Sequence, residues 1–105
     1  MILVLIRMKV FPEKRNELSQ TIVSLIGSIK TEKVCRRCDF CQNVEDENKF
    51  CLLGEWDTQE NLIRHLKSER FKVLRGAMTL LKEPHDIVFH TVFHPKGMEE
   101  INGSG

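Results

Sequence analysis

The hydrophobic positions of the chain switch between period two and helical spacing, and the switches predict the order of elements. Residues 2–11 (Ile-Leu-Val-Leu-Ile-Arg-Met-Lys-Val-Phe) make a strand-like run. Its first half is apolar at every position, which predicts a strand covered on both faces. Pro12 ends that run and suits the first turn of a helix. Between 13 and 31, Leu18, Ile22, Leu25, Ile26 and Ile29 fall at helical intervals and form one apolar stripe. Segments 36–44 and 49–56 predict a hairpin joined by Glu45-Asp46-Glu47-Asn48. Asp57 or Thr58 caps a second helix, with Glu60 placed as in a capping box. Its stripe is Leu62, Leu66, Val73, Ala77 and Leu81, interrupted by a re-cap at Ser68-Glu69 and ended by Pro84. Residues 87–94 alternate once more, Ile87, Phe89, Thr91 and Phe93 against Val88, His90, Val92 and His94. From Pro95 the period is lost, which predicts one domain over 1–94 and a flexible tail over 95–105. The order βαββαβ is the split βαβ arrangement of an α+β, ferredoxin-like fold.

A chain of 105 residues supports one small core, and sheets of this size often cover a face by dimerising. The 16 lysines and arginines balance 15 acidic residues. No basic block is longer than Arg36-Arg37, which argues against nucleic acid as a partner. The longest apolar run, Met1 to Ile6, is too short to span a bilayer. It also lacks the basic start and cleavage site of a secretion signal. The expectation is a soluble cytoplasmic protein with no membrane partner and with reduced cysteines.

The most specific stretch is Glu55-Trp56-Asp57 followed by Leu62, His65, Ser68 and Phe71. A strand ending in E-W and leading into L-x-x-H-x-x-S-x-x-F resembles the antibiotic-biosynthesis-monooxygenase family of small dimeric ferredoxin-like proteins. The resemblance covers residues 1–94. It implies a four-stranded antiparallel sheet and a homodimer whose two sheets pack face to face into an α/β barrel. It also implies a cavity between sheet and helices, lined by Trp56, Leu62, His65, Phe71 and the inner face of the first strand. Family members of known activity oxidise aromatic substrates with dioxygen and neither metal nor flavin, so no cofactor is expected. One branch degrades haem with an asparagine, a tryptophan and a histidine. Those positions fall here at Arg7, at His65 and near Arg75, which argues against that reaction.

His65 lies at the edge of the stripe formed by Leu62 and Leu66. An imidazole titrates near neutrality and suits a base that removes a phenol or quinol proton. The alternative is a structural histidine that hydrogen-bonds to the strand. Arg7 shares a strand face with Leu3 and Leu5, and a buried guanidinium needs a partner. Glu55 is the expected partner; otherwise Arg7 holds an anionic oxygen of a ligand. Trp56 reads as core or dimer interface, or as a platform for substrate. Gly76 lies inside the second helix, where glycine is less favourable than alanine by about 1 kcal/mol. Close packing accounts for it, or room for a ligand.

The run Cys35-Arg36-Arg37-Cys38-Asp39-Phe40-Cys41, with Cys51 beyond it, goes further than the resemblance. C-x2-C-x2-C resembles the opening of an iron–sulfur ligand run, and C-x2-C alone can hold zinc or exchange disulfides. On a regular strand, however, Cys38 and Cys41 face opposite sides about 10 Å apart, which argues against a shared metal. A tight turn over Cys35–Cys38 is the other option, with Arg36 and Arg37 lowering nearby thiol pKa values. Cys41 and Cys51 fall near opposite positions across the hairpin. The leading expectation is cofactor-independent oxygenation of a small aromatic or quinol. His65 and Arg7 are the candidate catalytic groups, in a pocket with Trp56, Leu62, Phe71 and Gly76. The alternatives are a non-catalytic small-ligand-binding or stress-response module, and a metal or redox protein built on Cys35, Cys38, Cys41 and Cys51.

Overall fold

A computed structural model describes residues 1–32 and 34–93. The elements are β1 (Ile2–Lys9), α1 (Arg15–Ile29), β2 (Cys35–Gln42), β3 (Lys49–Trp56), α2 (Gln59–Leu66), α3 (Glu69–Ala77) and β4 (Asp86–Thr91). This is the expected βαββαβ order with the second helix in two pieces. The four strands run β2-β3-β1-β4 across one sheet, each antiparallel to its neighbour. His94 and the tail expected over 95–105 lie outside the described residues. Among the described residues no helix is long and apolar enough to cross a membrane.

The helices cover one face of the sheet. Leu18, Ile22, Leu25, Ile26 and Ile29 of α1 are buried against Val4, Ile6 and Met8 of β1 and Phe50 and Leu52 of β3. Leu18 and Ile22 have no exposed surface, so truncating either to alanine is expected to destabilise by about 2–5 kcal/mol. A 3-10 turn at Pro12–Lys14 leads into α1, as the proline's fixed φ allows. The hairpin of β2 and β3 is closed by Asn43, whose Oδ1 accepts hydrogen bonds from the amides of Glu45 (2.8 Å) and Asp46 (2.9 Å). That turn ends β2 at Gln42, short of the expected 44. β1 likewise stops at Lys9, where the chain leaves the sheet to bond Asn48 and Lys82.

The largest departure from the expected pattern lies in the second helical segment. Val73, expected inside, is 54% exposed, whereas Leu74 is 3% exposed. The helix breaks after Leu66 and restarts at Ser68, whose hydroxyl caps α3. The restart shifts the phase, and Phe71, Leu74 and Ala77 become the inward positions. α3 then ends at Ala77 and gives way to a 3-10 turn. Leu81 leaves the helix for an isolated bridge with Val10, so Pro84 is not the helix stop.

The opposite face of the sheet carries no helix among the described residues. Cross-strand registry sets out its rows: Arg37, Glu55, Leu3 and His90; Asp39, Leu53, Leu5 and Val88; Cys41, Cys51, Arg7 and Asp86. At its outer edge β2 contains a β-bulge. Cys35 pairs with Trp56 and Arg37 with Glu55, which leaves Arg36 as the extra residue.

Candidate functional site

The spacing from Leu62 to Phe71 builds a slot around His65. The Thr58 hydroxyl accepts from the Asn61 amide at 3.1 Å and starts α2, so the cap is Thr58 rather than Asp57. Asp57 instead accepts from the Asn61 side chain at 2.9 Å. Leu62 faces the core, and His65, one helical turn later, points the same way. The Ser68 hydroxyl donates to the His65 carbonyl at 2.6 Å and accepts from the Phe71 amide at 3.3 Å. One serine therefore ties the end of α2 to the start of α3 and fixes Phe71 beside His65.

The imidazole is stacked on Trp56, with ring centroids 4.4 Å apart and planes inclined by 28°. Phe71 meets it edge-on at 5.8 Å and 66°. Trp56 is only 2% exposed, so the stack is a core contact rather than a surface one. The Nδ1 atom of His65 is buried and has no hydrogen-bond partner among the described residues. The structural alternative of a histidine bonded to the strand through this atom is thus not what the geometry shows. Burial lowers the His65 pKa from its ordinary value; Arg70 adds to that, and Glu32 opposes it. The ring is accordingly neutral at pH 7, the form that can accept a proton.

The cavity beside this ring is small, about 30 Å³. Trp56, Leu62, His65 and Phe71 line it, as does the inner face of β1 through Val4 and Ile6. Two of its wall residues carry chemistry that was not expected in this pocket: Cys35 and Cys38. The only sequence signal for them was the C-x2-C spacing. The Cys35 thiol donates to the Arg37 carbonyl at 3.4 Å, and its pKa is lowered from the ordinary thiol value, chiefly by the neighbouring Cys38 thiol. The cause is thus mainly the neighbouring thiol and not the arginine charges between them. The Cys35 thiol, together with burial, raises the pKa of Cys38.

Arg7 is not brought to this cavity. It lies on the uncovered sheet face, its side chain 63% exposed, and pairs with Asp86 (Nη1–Oδ2 3.5 Å) rather than with Glu55. It borders a separate depression of about 500 Å³ together with Cys41, Cys51 and Asp86. Gly76 does not line the His65 cavity either, and an added Cβ there would meet nothing within 4 Å. Neither close packing nor room for a ligand explains it. The four thiols divide two and two, Cys35 and Cys38 under the helices, Cys41 opposite Cys51 on the uncovered face. Among the described residues no three side chains of His, Cys, Asp or Glu gather as a metal site would require.

A four-stranded antiparallel sheet in the order β2-β3-β1-β4, helices on one face and a histidine slotted between them define a ferredoxin-like α+β protein. The chain belongs to the antibiotic biosynthesis monooxygenase family, whose model matches residues 1–77. It is 32% identical over 82 residues to the "Putative monooxygenase YcnE" of Bacillus subtilis (strain 168), covering 76% of this chain and 85% of that one. A conserved protein from Methanosarcina mazei Go1 superposes with a TM-score of 0.80 at 27% identity, over 85% of this chain and 89% of that one. A structure named as a putative antibiotic biosynthesis monooxygenase from Nitrosomonas europaea reaches 0.83 at 17% identity, over 90% and 100% of the two chains. At that identity the likeness is one of fold alone.

Proposed function

We propose that the protein is a monooxygenase of a small electron-rich aromatic, a quinol being the type of substrate, and that His65 is its base. The observation that carries this reading is the buried, unbonded Nδ1 of a neutral imidazole on the wall of an apolar cavity. A buried polar atom left without a partner is unfavourable by about 1–3 kcal/mol, and a substrate hydroxyl would relieve that. In this reading His65 takes the hydroxyl proton, and the resulting anion is electron-rich enough to reduce dioxygen without metal or flavin. One oxygen atom enters the ring as a carbonyl in place of two hydrogens, and the other leaves with those hydrogens as water. Trp56 and Phe71 hold the aromatic plane and keep water out. Arg7, on the far face, takes no part. The protein acts as a cytoplasmic homodimer, with Leu3, Leu5, Leu53 and Val88 of the uncovered face packed against a second copy.

Cavity size supports a second reading. An apolar cavity that accepts benzene measures about 150 Å³, several times the volume beside His65. A quinol therefore requires Phe71 or the α2–α3 junction to move, and a non-catalytic module that closes on a smaller ligand requires less. Oxygen uptake with a panel of quinols, run beside Trp56 fluorescence titrations, separates the two. Uptake in the parent that is lost in His65→Ala supports the enzyme. Saturable quenching with no uptake in either protein supports the binding module.

A further inference from the structure

We propose that Cys35 and Cys38 are a redox-active dithiol that reduces hydrogen peroxide and closes to a disulfide along the edge strand. The inference is independent of the oxygenase reading. On a regular strand, residues three apart point to opposite faces, and a disulfide between them is out of reach. The bulge at Arg36 removes that obstacle. It absorbs one residue, so Cys35 (opposite Trp56) and Cys38 (opposite Gly54) come to the same face as neighbours two positions apart. Both border the cavity beside His65, so the two side chains stand side by side on its wall. A disulfide of about 2.05 Å then joins two side chains on one face instead of two on opposite faces. Hydrogen peroxide, a small two-electron oxidant, is the co-reactant.

The two thiols are unlike. Cys35 is half-buried, and the Cys38 thiol favours its thiolate. The thiolate is the nucleophile, and a lowered pKa reduces its intrinsic reactivity by a Brønsted factor of only about 0.4–0.5. A lowered pKa thus raises the share of Cys35 present as thiolate at neutral pH. Cys35 sulfur attacks one peroxide oxygen, the O–O bond breaks, and the departing hydroxide takes up a proton as water. Cys35 is then a sulfenic acid. Cys38, buried and protonated in the reduced protein, loses the charged neighbour that held its proton. Its sulfur attacks the Cys35 sulfur, and the sulfenic hydroxyl leaves as water with the Cys38 proton. The sum is two thiols and one peroxide giving one disulfide and two waters, with two electrons passed to the peroxide.

The test is made on the full chain, reduced and then freed of reductant without air. Equimolar hydrogen peroxide is added, remaining thiols are alkylated, and a digest run without reductant is mapped by mass spectrometry. The expected result is a Cys35–Cys38 link, with Cys41 and Cys51 recovered alkylated. In Cys38→Ser, Cys35 is expected to stop as a sulfenic acid that dimedone captures; in Cys35→Ser, peroxide consumption falls to the rate of the remaining thiols. The unsubstituted protein alone decides the matter if a variant fails to fold. A link at Cys41–Cys51 instead, or oxidation of Cys35 no faster than that of Cys41, overturns the proposal.

Discussion

The same substitution, glycine to alanine, should change stability in opposite directions at two sites, and the sign is set by what an added Cβ meets. At Gly54 it lies 3.2 Å from Nε1 of Trp56. That indole cannot swing outward, being 2% exposed and stacked at 4.4 Å on His65. Overpacking of this kind is unfavourable by about 1–3 kcal/mol. The methyl also restricts the unfolded chain, which returns about 0.4–1 kcal/mol. The net expectation for Gly54→Ala is a loss of about 1 kcal/mol. At Gly76 an added Cβ meets nothing within 4 Å, and no described glycine has positive φ. Alanine there gains up to about 1 kcal/mol of helix propensity, lessened because the site lies next to the end of α3. A gain of about 0.5 kcal/mol is expected. For a chain of this size 1 kcal/mol moves the melting temperature by about 4–8 °C.

The assay is urea unfolding followed by far-UV circular dichroism, at one fixed protein concentration because association adds to apparent stability. Gly27, in α1 with the same open surroundings, is the internal control and should follow Gly76. If Gly54→Ala proves as stabilising as Gly76→Ala, the position of Trp56 over Gly54 is wrong, and the stacked slot around His65 falls with it.

Three further outcomes can be checked with standard measurements. The folded His65 pKa lies below the ordinary value of about 6.5, chiefly through burial. Stability should therefore be full above that pH and decline as pH falls through the lowered value, because the unfolded chain then binds a proton that the folded chain refuses; His65→Phe should flatten this part of an unfolding series in pH. Ser68→Ala removes the cap of α3 and the bond to the His65 carbonyl, so a loss of about 1 kcal/mol is expected in thermal melts, and an unchanged melt would mean the helix break needs no cap. Leu53→Asp places a carboxylate beside Leu5 and Asp39 on the uncovered face; sedimentation should show monomers in place of the proposed dimer, and an unaltered mass would remove this face from the interface.

How much of this was legible in the sequence depended on how local each signal was. β3 ends at Trp56 as expected, because the apolar run and the following cap lie within a few residues of each other. The break at Ser68 was legible for the same reason. What the break does to phase was not. The unbroken pattern turns Val73 inward and makes Gly76 packed or ligand-facing, and a single shift of phase corrects both. With Leu74 and Ala77 inside, positions 73 and 76, one helical turn apart, fall outside together. Arg7 shows a different limit. Registry does place it on one face with Leu3 and Leu5, but alternation says nothing about which face the helices cover. Its partner Asp86 stands opposite it on β4, a pairing that only the completed sheet creates.

The cysteines mark the furthest point that spacing can reach, and they tie the site to that limit. Strand geometry correctly separates Cys38 from Cys41, which lie on opposite faces. The same rule applied three residues earlier separates Cys35 from Cys38, and there it fails. A bulge belongs to a pair of strands, not to one, since it exists only where two residues oppose a single partner. Here that relation is set by β3, whose Glu55 and Trp56 take Arg37 and Cys35 as consecutive partners with Arg36 left over. β3 thus places Trp56 against His65 and, through its registry with β2, also turns both thiols toward the same cavity. Regular pairing of the same sequence would set Arg36 opposite Trp56 and turn Cys35 to the uncovered face, with Trp56 and His65 left where they are. The base and the dithiol share a wall, but they depend on different features of the chain: His65 on a helix break that Ser68 caps, the thiols on one surplus arginine.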